Sequence, residues 1–398
     1  MSILNANLQT RNEGIGAQNY FTITSKNGHP CHFELCEWVG LGRNASIEIN
    51  CDKGGCILTD ELKDVVEQNI ENGKIFLGVN LTGGSTNEFS IDNVKEVKRI
   101  MVEIKEKYKL QYTPLIHVDA VLGWPYLFLK DYDFSKNELN FDISYLNDLE
   151  RIVSSVSCFE YADTIGIDFH KTGFTPYLSS LFIAKNKELY QLLNPNKESI
   201  NETMIYGQYN PFYTSLEYSR SGFGAMSVLA TLKSMGKKLF IKNFVNLYIN
   251  GSRFRDKLRK NNLFYVTDTN INGIATMFIL KPKGYEYLDR DSIYTLKDDE
   301  IKYIRDYNIN FAKKIISDII QNKINFIFTS SRSYVLPGTE IKLGMLKAYP
   351  MSVMLDEDCI DKLVSSITES AKEYMNNNCY LNDNLEMFEE MSKGENNG

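Results

Sequence analysis

The sequence predicts an α/β protein: a mainly parallel sheet with helices on both faces, followed by a smaller C-terminal α+β domain. Three observations carry that prediction. Between Tyr20 and Asp168 short apolar runs alternate with amphipathic stretches, the strand–helix rhythm of a parallel sheet. Two of the runs end in aspartate, at Asp119 and Asp168, where ligands of such sheets sit. After Asn262 the texture changes to shorter strands and helices.

The elements follow in order. Residues 1–18 are polar and aperiodic, which predicts a flexible start. Tyr20 to Thr24 predicts a strand and Ser25 to Gly28 a turn. A helix follows over His32 to Val39, ending at Gly40 or Gly42. Ala45 to Asn50 alternates as a strand does. Thr59 is expected to cap a helix whose Leu62, Val65, Val66 and Ile70 share one face. Ile75 to Val79 predicts a buried strand, and Ser90 the cap of a helix aligning Val94, Val97, Met101 and Ile104. Leu115 to Asp119 is the next strand, Phe141 to Ser157 a helix, Asp163 to Asp168 the central strand and Ser180 to Ala184 its return. Residues 190–218, rich in Asn, Pro and Tyr, predict a long loop, and Ser221 to Met235 and Leu239 to Lys260 two helices. Beyond them come strands at Leu263 to Val266, Ala275 to Leu280, Phe326 to Phe328 and Lys342 to Leu346. Helices span Asp298 to Asn322 and Glu357 to Met375. The domains expected are a large one over 19–262 and a small one over 263–383, with a disordered tail over 384–398.

Composition narrows the function classes. With 398 residues the chain can hold two or three domains. A net charge of -7 and the lack of a basic stripe argue against a nucleic-acid partner. No run approaches the ~20 apolar residues of a membrane span, and the stretch from Met1 to Asn7 lacks a signal-peptide core. Seven cysteines, an odd number without framework spacing, point to a reducing cytoplasm. Cys51 and Cys56 flank a turn too irregular for a zinc knuckle. All four histidines, His29, His32, His117 and His170, fall in stretches singled out on other grounds.

The stretch with the most chemistry runs from Ala162 to Tyr177. Its strand breaks into Phe169, His170 and Lys171, then the turn formers Gly173 and Pro176. A lysine just past a buried strand is poorly placed to keep its charge, and a neutral amine can attack an aldehyde. Asp119 and Lys171 both lie at or just beyond a strand end, so both can point into one crevice. His117 reads as a strand histidine satisfied by its neighbours, and Trp124 with Tyr126 to Phe128 as core or dimer interface.

Taken together, His29-Pro-Cys-His-Phe33, Thr82-Gly-Gly-Ser-Thr86, His117-Val-Asp-Ala120, Asp168-Phe-His-Lys171 and Ser219-Arg-Ser-Gly222 resemble the pyridoxal-phosphate-dependent group II amino-acid decarboxylases. The likeness runs from about Phe21 to Ile367. It implies the aspartate-aminotransferase-like, type I fold and pyridoxal 5'-phosphate as cofactor, with Lys171 carrying the cofactor as a Schiff base. It also implies that Asp119 pairs with the pyridine nitrogen and that His29 stacks on the ring, with His32 a nearby competitor for that role. Thr86 is implied near the ring hydroxyl or the substrate carboxylate, Ala120 under the ring, and His170 at the phosphate or the substrate, with Asp168 in the same cofactor site. Tyr206, Tyr209 and Tyr213 are candidate proton donors, and Arg220 is open to a cofactor or inter-subunit role. No metal is implied.

Two departures from the family pattern bear on function. An insert, Gly123 to Val156, lengthens the span between Asp119 and Lys171; it resembles a branch of the family with Gly123-Trp124 and Asp131-Tyr-Asp-Phe134 patterns. The family's N-terminal segment, with its dimer-forming stretch and glycine-rich helix start, has no counterpart in residues 1–28. A helix start of that kind offers backbone amides to a phosphate. The chain is therefore expected to act in a homodimer, or in a hetero-oligomer with a chain supplying that segment. A truncated product and a catalytically incomplete partner subunit are the other readings. The reaction implied is decarboxylation of an L-amino acid, with another pyridoxal-phosphate lyase reaction as the alternative.

Overall fold

The computed structural model describes residues 1–10, 14–16, 19–193, 221–269 and 271–376. The chain forms two compact units, Met1–Asn246 with Thr269–Asn272, and Leu247–Asp268 with the residues from Gly273 onward. The division between these units falls inside the helical segment Phe223–Arg259. The reason is packing: Phe254 and Leu258, near the end of that segment, belong to the core of the second unit.

In the first unit a short helix, α1 (Ser2–Ala6), occupies part of the start expected to be flexible, and Asn5 Nδ2 donates to Thr113 O at 2.8 Å. Then come β1 (Tyr20–Ser25), α2 (Cys31–Trp38), β2 (Ser46–Ile49), α3 (Thr59–Glu71), β3 (Ile75–Thr82), α4 (Val94–Lys107), β4 (Leu115–Asp119) and α5 (Leu146–Ser157). They are followed by β5 (Thr164–Asp168), the one-turn α6 (Phe169–Thr172), β6 (Ser180–Ala184) and α7 (Lys187–Gln191). The sheet order is β2-β1-β3-β4-β5-β6, with β6 antiparallel to β5 and every other pairing parallel. β1 to β5 therefore end on one edge, and that edge carries Ser25, Thr82, Asp119 and Asp168.

The central strands read as buried apolar runs because they are covered: Phe76, Leu77, Val79, Leu81, Ile116 and Val118 are at most 3 % exposed. Gly78 has φ +145°, and a Cβ there would lie 2.1 Å from Leu115 O, so a side chain would push β4 away. Helix α4 buries Val94, Val97, Ile100, Met101 and Ile104, the stripe expected of a 3.6-residue period. Its cap is Asn93, whose side chain accepts from Glu96 N at 3.1 Å, and not Ser90. Ser90 is buried in the preceding turn, where its hydroxyl accepts from Asn27 Nδ2 at 2.8 Å. Thr59 is likewise the first helical residue of α3 rather than its cap. The Trp124 to Phe128 segment is core: Trp124 and Phe128 pack on Phe240, and Tyr126 on Phe244.

The segment α8 (Phe223–Arg259) is helical on either side of Gly236, whose φ of 64° breaks it between the two helices expected. The second unit has an antiparallel sheet, β7-β8-β10-β9, formed by β7 (Phe264–Val266), β8 (Thr276–Leu280), β9 (Thr329–Val335) and β10 (Lys342–Ala348). Helices α9 (Asp298–Ile320) and α10 (Glu357–Asn376) complete it, with Phe254, Phe278, Phe311, Leu346, Ile360 and Ile367 in one core. Asn308 ties α9 to the sheet, accepting from Leu280 N at 2.7 Å and donating to Leu280 O at 3.0 Å. Phe326 to Phe328 is not a strand. Phe328 inserts into the core, so its apolar character reports burial rather than extension.

Candidate active site

The site is built from the ends of adjacent strands. Asp119 closes β4 and stands opposite Gly166 in β5, two residues before Asp168. The register is held from both sides: Gly83 N donates to Asp119 O at 2.8 Å, and Ala120 N to Gly166 O at 2.9 Å. Ala120 is fully buried. Gly83 and Gly123 permit the close approach, since a Cβ on Gly123 would lie 2.1 Å from Gly83 O.

The turn after β3 is fixed by Asp92, which is fully enclosed and accepts from Ile57 N and Thr82 N, each at 2.7 Å. Burial pushes its carboxyl up to about 6 despite those two donors. Asn27 Nδ2 donates to Ser90 Oγ and to Gly55 O, joining the loop that follows β1 to the same turn. Thr86 is exposed on this turn.

At the end of β5, Lys171 is partly buried in α6, and its Nζ lies 3.1 Å from Asp168 Oδ2. Asp168 also accepts from Ser180 Oγ at 2.6 Å, its cross-strand partner in the β5–β6 register. His170 Nε2 is 3.4 Å from Asp168 Oδ2, its Nδ1 meets Ser179 N and O at 3.2 and 3.1 Å, and its ring packs on Tyr177. Both ring nitrogens face protein groups. These contacts fix the orientation of the ring at the end of β5.

The third wall is the start of α2. His29 is exposed, and its Nδ1 accepts from Cys31 N at 3.2 Å. His32 is the histidine beside Asp119: it is 9 % exposed, with Nε2 at 3.8 Å from Asp119 Oδ2. Burial pulls its pKa below the ordinary imidazole value, with Asp119 opposing and His29 reinforcing, so it is neutral at pH 7. The Cys31 thiol is pushed up by burial and then by Asp119 and Glu34, while Lys171 opposes. It therefore feels both site charges, a role that no periodicity in the sequence marks. Ser180 was equally hidden, although the β5–β6 hairpin register places it opposite Asp168. His117 is a satisfied strand histidine as expected, bonded to Thr164 Oγ1 at 2.9 Å, and burial drops its pKa to about 4. Tyr206, Tyr209, Tyr213, Ser219 and Arg220 lie outside the described residues.

The profile of the pyridoxal-dependent decarboxylase conserved domain matches residues 7–281. The chain belongs to that family. Its cofactor is accordingly pyridoxal phosphate, and its fold is the type I fold of these enzymes. An L-2,4-diaminobutyrate decarboxylase of Acinetobacter baumannii is 23% identical over 233 residues, 57% of this chain and 40% of that protein. Solved structures share the fold, among them these three. The apo form of mouse CSAD matches with TM-score 0.71 and 13% identity over 93% of this chain and 68% of its own. Oryza sativa TDC with PLP and tryptamine matches with TM-score 0.68 and 14% identity over 94% and 68%. The third is the glutamate decarboxylase domain of a Vibrio parahaemolyticus diaminobutyrate-pyruvate transaminase and L-2,4-diaminobutyrate decarboxylase. It gives 0.63 and 16% identity over 94% and 65%. The chain thus spans well under half the length of the curated relative.

The residues at the strand ends fit this cofactor. Among the described residues no lysine or arginine forms an ion pair with Asp119, whose polar neighbours are Val121 N at 3.3 Å and the neutral His32. A sheltered carboxylate without a cation is the partner a pyridinium nitrogen requires. Lys171 supplies an amine at the same edge.

Proposed function

We propose that the protein converts an L-amino acid to the corresponding amine and carbon dioxide, with pyridoxal phosphate held between Lys171 and Asp119. The observation that carries the reading is the pair of strand-end groups: a sheltered carboxylate without a cation, and an amine one strand away that a second carboxylate holds. When bound, pyridoxal phosphate supplies an electron sink for the pair left on the α-carbon as carbon dioxide departs. Asp119 keeps a proton on the ring nitrogen, its negative charge favouring the protonated form. Lys171 would hold the cofactor through Nζ. Asp168 holds the Lys171 side chain at Nζ and, with Ser180 and His170 gathered on the same carboxylate, limits where it can point.

His29 sits at the exposed mouth, where it can cover the ring, while Ala120 forms the floor beneath it. Thr86, on the turn that Asp92 anchors, is assigned to the ring hydroxyl or the substrate carboxylate. The proton that replaces the carboxyl group on the α-carbon is assigned to Tyr206, Tyr209 or Tyr213. The assembly is a homodimer or a hetero-oligomer, and the compartment is the cytoplasm.

The test is release of carbon dioxide and amine from each of the twenty standard L-amino acids and from L-2,4-diaminobutyrate, with pyridoxal phosphate added. A product from one side-chain class is expected. If the cofactor is bound and no amine forms from any of them, decarboxylation of these amino acids is ruled out and another pyridoxal-phosphate lyase reaction takes its place.

A further inference from the structure

His32 has no task in the scheme above, yet it is placed closer to Asp119 than any other histidine in an ion-pair contact. It lies in the first turn of α2, 9 % exposed, with Nε2 facing Asp119 Oδ2 at 3.8 Å. Among the described residues its ring makes no hydrogen bond, and Asp119 is the carboxylate within 4 Å of it. An imidazole kept from water needs a polar partner, and Oδ2 is the oxygen left open once Oδ1 has taken Val121 N. The other buried histidine nearby, His117, sits two residues before Asp119 on the same strand face and is already bonded to Thr164. It is therefore no competitor for Oδ2.

Resting on the reading of Asp119 as the partner of the ring nitrogen, we propose that His32 is a positioning residue. Its neutral imidazole faces Asp119 Oδ2 at 3.8 Å. From there a small shift on cofactor binding lets Nε2–H donate to that oxygen and orient the carboxylate while leaving its charge for the cofactor. The choice of donor matters chemically. A lysine or arginine in this place would neutralise Asp119 and compete with a pyridinium, whereas a neutral N–H orients the oxygen and leaves the negative charge available. The charged and titratable groups that act on His32 are Asp119 at the end of β4 and His29 ahead of α2, and His32 in turn acts on His117. Asp119 raises the affinity of His32 for a proton; the other influences lower it.

Two measurements test the proposal. The chain has only four histidines, so carbon-13 labelling resolves the ring of each by NMR in the protein without added cofactor. Asp119→Asn should move the His32 titration midpoint to lower pH, because the group that favours its protonation is gone. An unmoved midpoint overturns the contact. The second measurement is the dissociation constant for pyridoxal phosphate in His32→Leu and His32→Gln, both checked for wild-type circular dichroism and Tm. The expectation is about tenfold weaker binding in His32→Leu, at the low end for loss of an outer-shell partner. Rescue to within about threefold is expected in His32→Gln, which keeps an N–H donor. Equal losses in the two variants, or none, would mean that the residue only fills space. If the wild-type chain takes up no cofactor at all, the reading of Asp119 fails. The NMR arm then decides alone whether His32 holds that carboxylate.

Discussion

The ends of β4 and β5 carry an aspartate each, one strand apart, and the two are treated oppositely by their surroundings. Asp168 is saturated: Lys171 at 3.1 Å, Ser180 at 2.6 Å and His170 at 3.4 Å converge on it. Asp119, equally sheltered, has among the described residues a single backbone N–H and a neutral imidazole. The side-chain exposures, 17 % and 16 %, are nearly the same, so burial does not separate them. The difference lies in partners. A carboxylate whose charge is met by the protein is a holder, and one whose charge is left over is a receptor for a cation the protein does not itself supply. Asp168 takes the first part and Asp119 the second.

That contrast can be broken in steps. Lys171→Ala should have the largest effect, removing the cofactor's anchor and lowering amine production by at least about 10³-fold, read in a product assay with saturating pyridoxal phosphate. Asp119→Asn should keep the fold and some cofactor but cost about 10²–10³-fold in kcat, because the charge that favours the ring proton is gone. Asp168→Asn should cost less, roughly tenfold to a hundredfold, appearing as slower cofactor uptake, since it removes a charge-assisted bond to Lys171 and no direct contact with the ring. An Asp168→Asn loss as deep as that of Asp119→Asn would erase the distinction.

Below Asp119 the contrast extends to pH. His117 has a folded pKa of about 4 against 6.5 when unfolded, so between those values the unfolded chain takes up the proton first and stability falls on acidification. Asp92 runs the other way: its folded value of about 6 exceeds the unfolded 3.8, so stability rises as pH falls through that window. The two oppose each other in the wild type. His117→Gln should therefore be more stable than wild type at pH 4 by on the order of 2–3 kcal/mol, relative to their difference at pH 7. Urea midpoints at the two pH values measure it. The smallest effect expected is Ser180→Ala, about 1 kcal/mol and a Tm lower by a few degrees, from loss of one bond to Asp168.

Much of this was legible in the sequence, for identifiable reasons. The strands ending at Asp119 and Asp168 were readable because each is a short apolar run that turn residues interrupt sharply, although the second is only half-buried. Lys171 was readable because it follows such an end directly. What escaped reading depended on tertiary contact. β9, Thr-Ser-Ser-Arg-Ser-Tyr-Val over Thr329–Val335, has little apolar pattern and is a strand because β10 pairs with it. Ser90 has a capping side chain, yet the turn uses that hydroxyl for Asn27 and leaves the cap to Asn93. The difference between His29 and His32 lies in how the chain enters α2, which turns one imidazole outward and the other toward Asp119. Nothing in the spacing of the two residues encodes that choice.

The central claim is that Lys171 and Asp119 form a site for pyridoxal phosphate, and borohydride reduction of the chain incubated with the cofactor tests it most directly. Peptide mass mapping after reduction should find the cofactor on Lys171, together with a visible absorption band that is lost on reduction and absent from Lys171→Ala. Cofactor spread over many lysines, or a band of equal strength in Lys171→Ala, would contradict the account.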